Sequence, residues 1–105
     1  MTEREFQQTV IDMARLLQWK VYHVYDSRRS EPGFPDLVLV RDRIVYLELK
    51  TEAGRVSPEQ AAWIAALNAA GGTAMVVRPS DLPRIEEALK KRVGVAALRG
   101  EGKAA

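Results

Sequence analysis

The sequence has 105 residues, of which 47% are hydrophobic and 29% are charged, a composition typical of one globular domain with a single core. It contains no cysteine and one histidine, which excludes thiolate metal sites and argues against an imidazole-based zinc site. The formal net charge of +2 permits a polyanionic partner without requiring one.

The sequence carries no signal for a membrane. No apolar run approaches the ~20 residues that span a bilayer, and the N-terminal residues lack the basic-then-apolar order of a secretion signal. We therefore expect a cytoplasmic protein. Residues 1–99 are expected to form the domain and 100–105 a flexible tail, because the tail has little that can pack.

The first half of the chain predicts one helix and three strands. Thr2 and Glu5 have the spacing of a capping box, and apolar residues then recur at helical spacing from Phe6 to Leu17. Two β-rich runs around the polar residues 41–43 predict an antiparallel hairpin. The predicted elements are a helix over about 3–17, a strand over 20–25, a loop over 26–35 and strands over 36–40 and 44–50.

The second half predicts a helix, a strand and a final helix. Ser57 and Gln60 form another capping box around Pro58, and Gly71 suits the left-handed end of that helix. Thr73 to Val77 predicts a strand, and Ser80 is expected to open a last helix to about Arg92. The residues expected against the core are Ala61, Ile64, Ala65 and Leu67 in the first of these helices and Leu82, Ile85 and Leu89 in the second.

The element order α-β-β-β-α-β-α predicts an α/β fold. The third and fourth strands are joined through a helix, and such a crossover suits parallel pairing. We therefore expect one domain with a mixed β-sheet flanked by helices.

The predicted strand over 44–50 contains candidate catalytic residues. Side chains alternate along a strand, so Glu48 and Lys50 share a face. Pairing counted outward from the 41–43 turn places Val40 near Ile44 and Asp36 near Glu48. Two carboxylates therefore face each other beside one amine.

Facing carboxylates repel unless a cation lies between them, so this register predicts a divalent metal held by Asp36 and Glu48. Mg²⁺ suits two carboxylates, a backbone carbonyl such as that of Leu49 and waters, with Mn²⁺ as a possible substitute. Lys50 is then placed to orient an attacking water or neutralise developing charge, as in phosphodiester hydrolysis. The alternative is an ordinary Glu48–Lys50 ion pair on a half-exposed strand.

Three stretches of the sequence resemble the VRR-NUC branch of the PD-(D/E)xK nuclease superfamily, and the resemblance spans most of the chain. They are Gly33-Phe34-Pro35-Asp36-Leu37, Glu48-Leu49-Lys50 and Gly54-Arg55-Val56-Ser57-Pro58-Glu59-Gln60. The resemblance implies a restriction-endonuclease-like fold. It also implies an active site formed by Glu3, Asp36, Glu48, Lys50 and Gln60, with Glu3 as a further metal ligand.

Two of these assignments have alternatives. Glu5 can be aligned in place of Glu3, but Glu5 is already explained by the capping box, while Glu3 is also explained as an acid in a first helical turn. Gln60 is either a capping residue or an active-site amide, and we expect one side-chain geometry not to serve both roles fully.

The remaining charged and aromatic residues are assigned more generally. Arg28, Arg29 and Arg55 lie on loops flanking the proposed centre and are expected to contact a nucleic-acid backbone. The other basic clusters, at 41–43 and 90–92, are interpreted as solvated surface. Trp19 and Trp63 are assigned to the core or a subunit interface.

The function expected from these residues and this resemblance is a magnesium-dependent endodeoxyribonuclease. Members of this size resemble phage proteins that act as homodimers on branched DNA such as four-way junctions, in repair or recombination, and a two-fold protein would suit a two-fold substrate. The alternative is a nucleic-acid-binding module with the same fold and no activity. A sugar- or protein-binding α/β domain is disfavoured because the sequence offers no aromatic platform beyond the tryptophans.

Overall fold

The computed structural model describes residues 1–24, 29 and 31–92. The elements are α1 (Glu3–Leu16), β1 (Lys20–His23), β2 (Leu37–Val40), β3 (Ile44–Leu49), α2 (Pro58–Ala69), β4 (Thr73–Val77), a 3₁₀ helix (Pro79–Asp81) and α3 (Leu82–Lys90). The α/β class and the predicted order of helices and strands are confirmed. The predicted boundary at residue 99 and the tail over 100–105 lie outside the described residues.

The strands form one mixed sheet in the order β1-β2-β3-β4. The first two pairings are antiparallel, and β3 pairs with β4 in parallel through the α2 crossover. Val40 lies opposite Ile44 and Leu37 opposite Leu47, so the predicted hairpin register is confirmed. One step further along this register, Asp36 is brought level with Glu48.

The core lies on one face of the sheet, where α1 and α3 pack. Alternate residues of β2 and β3 point to this face, and α1 contributes Phe6 and Val10, which are fully buried. Ile85 and Leu89 of α3 are buried as predicted, with Leu82 packed against the same cluster. Trp19 is also in this core, and its indole N–H donates to the carbonyl of Leu89 at 3.0 Å.

The helix α2 does not bury the residues that were predicted to face the core. Ala61 and Ala65 are exposed, Ile64 and Leu67 are only half-buried, and no described residue of α2 is fully buried. The prediction was wrong because α1 and α3 already cover the core face, while α2 lies on the opposite face. Since apolar residues surround this Ala-rich helix on all sides, its sequence does not indicate which side packs.

One polar residue of α2 binds the edge of the sheet. The Asn68 side-chain amide donates to the Ala74 carbonyl at 2.9 Å and accepts from the Ala74 N–H at 2.8 Å. Among the described strands, β4 lies at an edge. Asn68 therefore occupies the place that the backbone of a further strand would take at this residue.

The last helix begins later and ends earlier than predicted. Ser80 lies in the 3₁₀ helix, where its N–H and hydroxyl both donate to the Glu52 carboxylate, and α3 starts at Leu82. The helix ends at Lys90 rather than Arg92. Similarly, β1 ends at His23, and residue 25 of the predicted strand lies outside the described residues.

Arg41 and Arg43 are part of the framework, so their interpretation as solvated surface was wrong. Their guanidinium carbons lie 4.5 and 5.1 Å from the centroid of the Trp19 ring. Both donate to the Lys91 carbonyl just after α3, and Arg41 also donates to the carbonyl of Leu17, the residue that follows α1. Cations at helix C-termini satisfy carbonyls that lack helical partners.

Candidate active site

Asp36 and Glu48 meet where the β2–β3 hairpin passes beneath the start of α2. Asp36 immediately precedes β2, and its Oδ2 accepts a hydrogen bond from the Leu49 N–H at 2.8 Å. Glu48 points to the α2 face of β3 and is only 2% exposed. The predicted convergence of the two acids is therefore present in the structure.

The two oxygens of Glu48 have different surroundings. Oε2 accepts a hydrogen bond from Gln60 Nε2 at 2.9 Å and lies 3.7 Å from Lys50 Nζ. Oε1 is buried and has no hydrogen-bond partner among the described residues. Because a buried carboxylate oxygen without a partner is costly, this atom is suited to bind a cation.

The surroundings of Glu48 strongly favour its neutral form. Burial, followed by the negative charge of Asp36, raises the pKa of Glu48 to about 8, although the positive charge of Lys50 opposes the shift. The structure thus favours the neutral form of Glu48 in the absence of metal, and cation binding is expected to be coupled to release of a proton.

Gln60 acts both as a capping residue and as a partner of the site. Its Oε1 accepts from the Ser57 N–H at 2.9 Å, while its Nε2 donates to Glu48. Our expectation that one geometry would not serve both roles was wrong, because the two ends of the amide are used separately. The cap at the start of α2 thus orients the N–H group that binds Glu48.

Glu3 lies in the first turn of α1 and is exposed. Its charge is the smallest of the contributions that raise the pKa of Glu48, so it acts on the site at a distance. Glu5 forms the predicted capping box, accepting from the Thr2 N–H at 2.7 Å. Within the described part of the chain, no group of three or more acidic, histidine or cysteine side chains is placed to hold a metal, which leaves Asp36 and Glu48 as the carboxylate pair.

The loop before Asp36 is seated against the backbone of α2. Gly33 has a positive φ of 93°, and a Cβ placed on it would lie only 2.5 Å from the carbonyl carbon of Glu59. Phe34 packs edge-on against Trp63 at 5.1 Å and against Tyr46 at 6.1 Å. This contact fixes the distance between Asp36 and the helix start that carries Gln60.

A pair of glycine substitutions isolates the effect of this close approach. Gly71 has nearly the same φ of 94°, but nothing lies within 4 Å of a Cβ placed there. We expect Gly71→Ala to cost about 1 kcal/mol of folding stability for its backbone conformation alone. Gly33→Ala is expected to cost about 2–4 kcal/mol, since steric overlap with α2 adds to that term.

Urea denaturation of both variants measures the difference. Equal losses of stability would show that the packing of Gly33 on α2 does not constrain the loop.

Comparisons with known proteins show which family and fold this chain has. The family model of the VRR-NUC domain matches residues 3–81. The chain belongs to the VRR-NUC domain family. A solved structure described as a VRR_NUC domain protein has the same fold, with a TM-score of 0.70 and 19% identity over 93% of this chain and 90% of that chain. No match to this chain was found among curated proteins.

Membership of the VRR-NUC family implies a nuclease-type function within the PD-(D/E)xK superfamily, with DNA as the substrate. The resemblance found in the sequence is thereby confirmed at the level of family and fold. Among the described residues, no helix is long and apolar enough to cross a membrane.

The structure describes two of the three arginines that were predicted to contact DNA. Arg55 is exposed on the loop between β3 and α2, close in sequence to Lys50. Arg29 is exposed as well. Arg28 lies outside the described residues. Their contacts with DNA remain predictions.

Sequence reasoning missed Arg78 and Ser80, which hold the loop after Lys50. Arg78 donates to carbonyl groups of this loop, and Ser80 donates to the carboxylate of Glu52, which lies in the loop. Their partners lie more than twenty residues away in the sequence, so no local pattern reveals them. An arginine directly after a predicted strand was the only available signal.

An apolar cavity on the core face of the VRR-NUC domain is separate from this site. A space of about 270 Å³ lies between β3, β4 and α3, lined by residues such as Leu47, Met75 and Ile85. It is on the core face of the sheet, whereas Asp36, Glu48 and Gln60 meet on the α2 side. The chemistry is therefore assigned to the polar cluster and not to the cavity.

Proposed function

We propose that this protein is a magnesium-dependent endodeoxyribonuclease that hydrolyses DNA phosphodiesters at the site formed by Asp36, Glu48 and Lys50. One observation carries the proposal. The buried Glu48 has an oxygen without a partner beside the Asp36 carboxylate, and an amine lies 3.7 Å from its other oxygen. Such an arrangement is costly for folding, which argues for a functional role.

The donor set fits a hard divalent cation. Asp36 and Glu48 offer carboxylate oxygens, the Leu49 carbonyl is a further possible ligand, and waters can complete an octahedral shell, a pattern that Mg²⁺ and Mn²⁺ accept. When bound, Mg²⁺ supplies Lewis-acid stabilisation of a phosphate and lowers the pKa of water.

The protein's own residues then have separate roles. The Leu49 N–H fixes one Asp36 oxygen, and the capped amide of Gln60 fixes one oxygen of Glu48. These contacts leave Glu48 Oε1 for the cation. The Lys50 ammonium neutralises negative charge that develops on the phosphoryl oxygens or orients the attacking water. Glu3 adds negative charge nearby, which favours cation binding.

We further propose a preference for branched DNA such as four-way junctions, with action as a homodimer in repair or recombination. The family's association with DNA supports the substrate class. A two-fold dimer would present two equivalent sites to a two-fold junction, which supports the shape of the substrate. Action in the cytoplasm, and a phage origin, would suit such a role.

Cleavage of end-labelled DNA tests the proposal. A four-way junction and a linear duplex of the same arm sequence are incubated with Mg²⁺, Mn²⁺ or EDTA, with Asp36→Asn as the matched control. We expect metal-dependent cutting of the junction by the wild-type protein alone. Binding without cutting under every metal would instead identify a silent DNA-binding module, and equal cutting of both substrates would exclude the branch preference.

Arg55 gives a separate prediction about binding. Arg55→Ala is expected to weaken DNA affinity about equally for different sequences, and to reduce the slope of log affinity against log salt by about 1. Fluorescence anisotropy in EDTA across a salt series measures both quantities. Arg15→Ala is the control, because Arg15 lies in the last turn of α1, away from Glu3 and the site. Equal salt slopes for the two variants would contradict a phosphate contact at Arg55.

A further inference from the structure

Arg78 binds the turn that follows Lys50 from across the structure. Its Nη1 donates to the carbonyl oxygens of Thr51 at 2.6 Å, Glu52 at 3.1 Å and Gly54 at 2.8 Å. The turn itself is closed by the Gly54 N–H, which donates to the Thr51 carbonyl at 3.2 Å. A single cationic group thus gathers three carbonyls of one turn, and its charge strengthens each bond.

A second set of contacts joins the same two segments. The Glu52 carboxylate accepts from the Ser80 N–H at 2.6 Å and from the Ser80 hydroxyl at 3.1 Å. Asp81 in turn accepts from the Arg78 N–H at 2.8 Å, which holds the start of the 3₁₀ helix. The turn over residues 51–54, here called the 51–54 turn, is therefore attached to the segment after β4 from both directions.

The 51–54 turn lies against the side chain of Lys50. A Cβ placed on Gly54 would be 3.5 Å from Lys50 Cδ and 3.0 Å from Thr51 Oγ1, so the aliphatic stem of Lys50 lies next to Gly54 of the turn. The Lys50 N–H donates to the Val77 carbonyl at 3.0 Å, directly before Arg78. The Lys50 side chain is 15% exposed, with its ammonium next to Glu48. A long lysine side chain held in this way loses the rotamers that would carry it into solvent.

We infer that Arg78 is a positioning residue: it holds the 51–54 turn against Lys50 and so keeps the Lys50 ammonium beside Glu48. The catalytic consequence rests on the proposed nuclease function, whereas the effect on the Lys50 side chain does not. Arg78 touches neither Glu48 nor Lys50 through its guanidinium contacts, so it acts through the turn.

The reactivity of Lys50 tests the inference without DNA. Wild-type protein and Arg78→Ala are reductively methylated, and each lysine is followed by peptide mass spectrometry. Lys20, Lys90 and Lys91 are exposed and serve as internal references. We expect Lys50 to react at least about fivefold faster in Arg78→Ala while the reference lysines are unchanged, with faster hydrogen exchange in the 51–54 turn.

Three further variants complete the design. Arg84→Ala removes an exposed arginine of α3 that pairs with Asp81 and should leave Lys50 reactivity unchanged. Glu52→Ala releases the same turn by removing its other attachment, and should raise Lys50 reactivity even if Arg78→Ala does not fold. Arg78→Lys, whose shorter side chain retains a cation, should restore part of the protection.

Cleavage supplies the functional readout. Because small displacements of a catalytic group reduce rates strongly, we expect Arg78→Ala to lower kcat by about 10- to 100-fold with little change in KM. Millimolar guanidinium added to this variant should recover part of the rate by occupying the vacated position.

Unchanged Lys50 reactivity in both Arg78→Ala and Glu52→Ala would overturn the inference. Faster methylation of Lys50 in a protein whose wild type never cuts DNA would support the positioning role and overturn the proposed nuclease function.

Discussion

Glu48→Gln is expected to lower metal-dependent cleavage about 10³-fold or more while stabilising the metal-free protein at alkaline pH. The loss of activity follows from removing one of the two carboxylates that face the cation. The gain in stability follows from the environment of Glu48, whose pKa is raised to about 8 by burial and by Asp36. A neutral amide of the same shape avoids that charge and still offers an oxygen to Gln60.

The pH dependence of wild-type stability has a definite sign. The pKa of Glu48 rises from an ordinary value of 4.5 to about 8 on folding, so the folded state binds the proton more tightly. The contribution of protonated Glu48 to the free energy of unfolding is fully present below pH 4.5 and is lost as the pH rises through about 8. We expect this group to reduce the free energy of unfolding by on the order of 2–4 kcal/mol between pH 5 and 9.

Urea denaturation in EDTA at several pH values measures this loss. The decrease in the free energy of unfolding with rising pH should largely disappear in Glu48→Gln. It should persist in Glu59→Gln, which removes an exposed acid from the first turn of α2. Parallel pH profiles for wild-type protein and Glu48→Gln would mean that Glu48 is ionised throughout, and would contradict its burial as a neutral acid.

Lys50→Met is the second substitution with a large expected effect. Methionine retains an apolar stem of similar shape beside the 51–54 turn but removes the ammonium. We expect cleavage to fall about 10²- to 10⁴-fold, because the charge that develops on the phosphate is no longer neutralised. Single-turnover kinetics on the junction substrate measures the chemical step directly.

The same substitution changes metal binding in a predictable direction. The Lys50 charge lowers the pKa of Glu48, so its removal raises that pKa further. Mn²⁺ binding, followed by calorimetry, should therefore require a higher pH in Lys50→Met than in the wild type. Lys90→Met is the control, since Lys90 forms an exposed ion pair with Glu86. Retained cleavage, or a shift of metal binding to lower pH, would contradict the role assigned to Lys50.

Local chemistry predicted much of the fold and the centre of the site. Both capping boxes depend on residues three apart, and the hairpin register depends on a three-residue connection, so neither requires knowledge of distant contacts. These two features bring Asp36, Glu48 and Gln60 into one place. The family resemblance predicted the same residues by a separate route.

Features that depend on which surfaces meet were not predictable in the same way. The orientation of α2 depends on which face of the sheet α1 and α3 already cover. Because apolar residues are spread around α2, its sequence does not indicate which side of the helix packs on the sheet. The packing of Arg41 and Arg43 on Trp19 requires α1, the hairpin turn and α3 to converge. Gln60 has two explanations in the sequence, as a capping residue and as an active-site amide, and only the three-dimensional geometry shows that the two ends of its amide serve both roles.

The bond between Asn68 and Ala74 has a consequence for how molecules of this protein meet in solution. An outer strand with unsatisfied N–H and C=O groups is a template on which another chain can add a strand, and such addition leads to aggregation. By occupying both polar groups of Ala74, a helix side chain interrupts that template at the second residue of a five-residue strand. At Ala74, protection against intermolecular strand addition thus depends on one side-chain amide of α2.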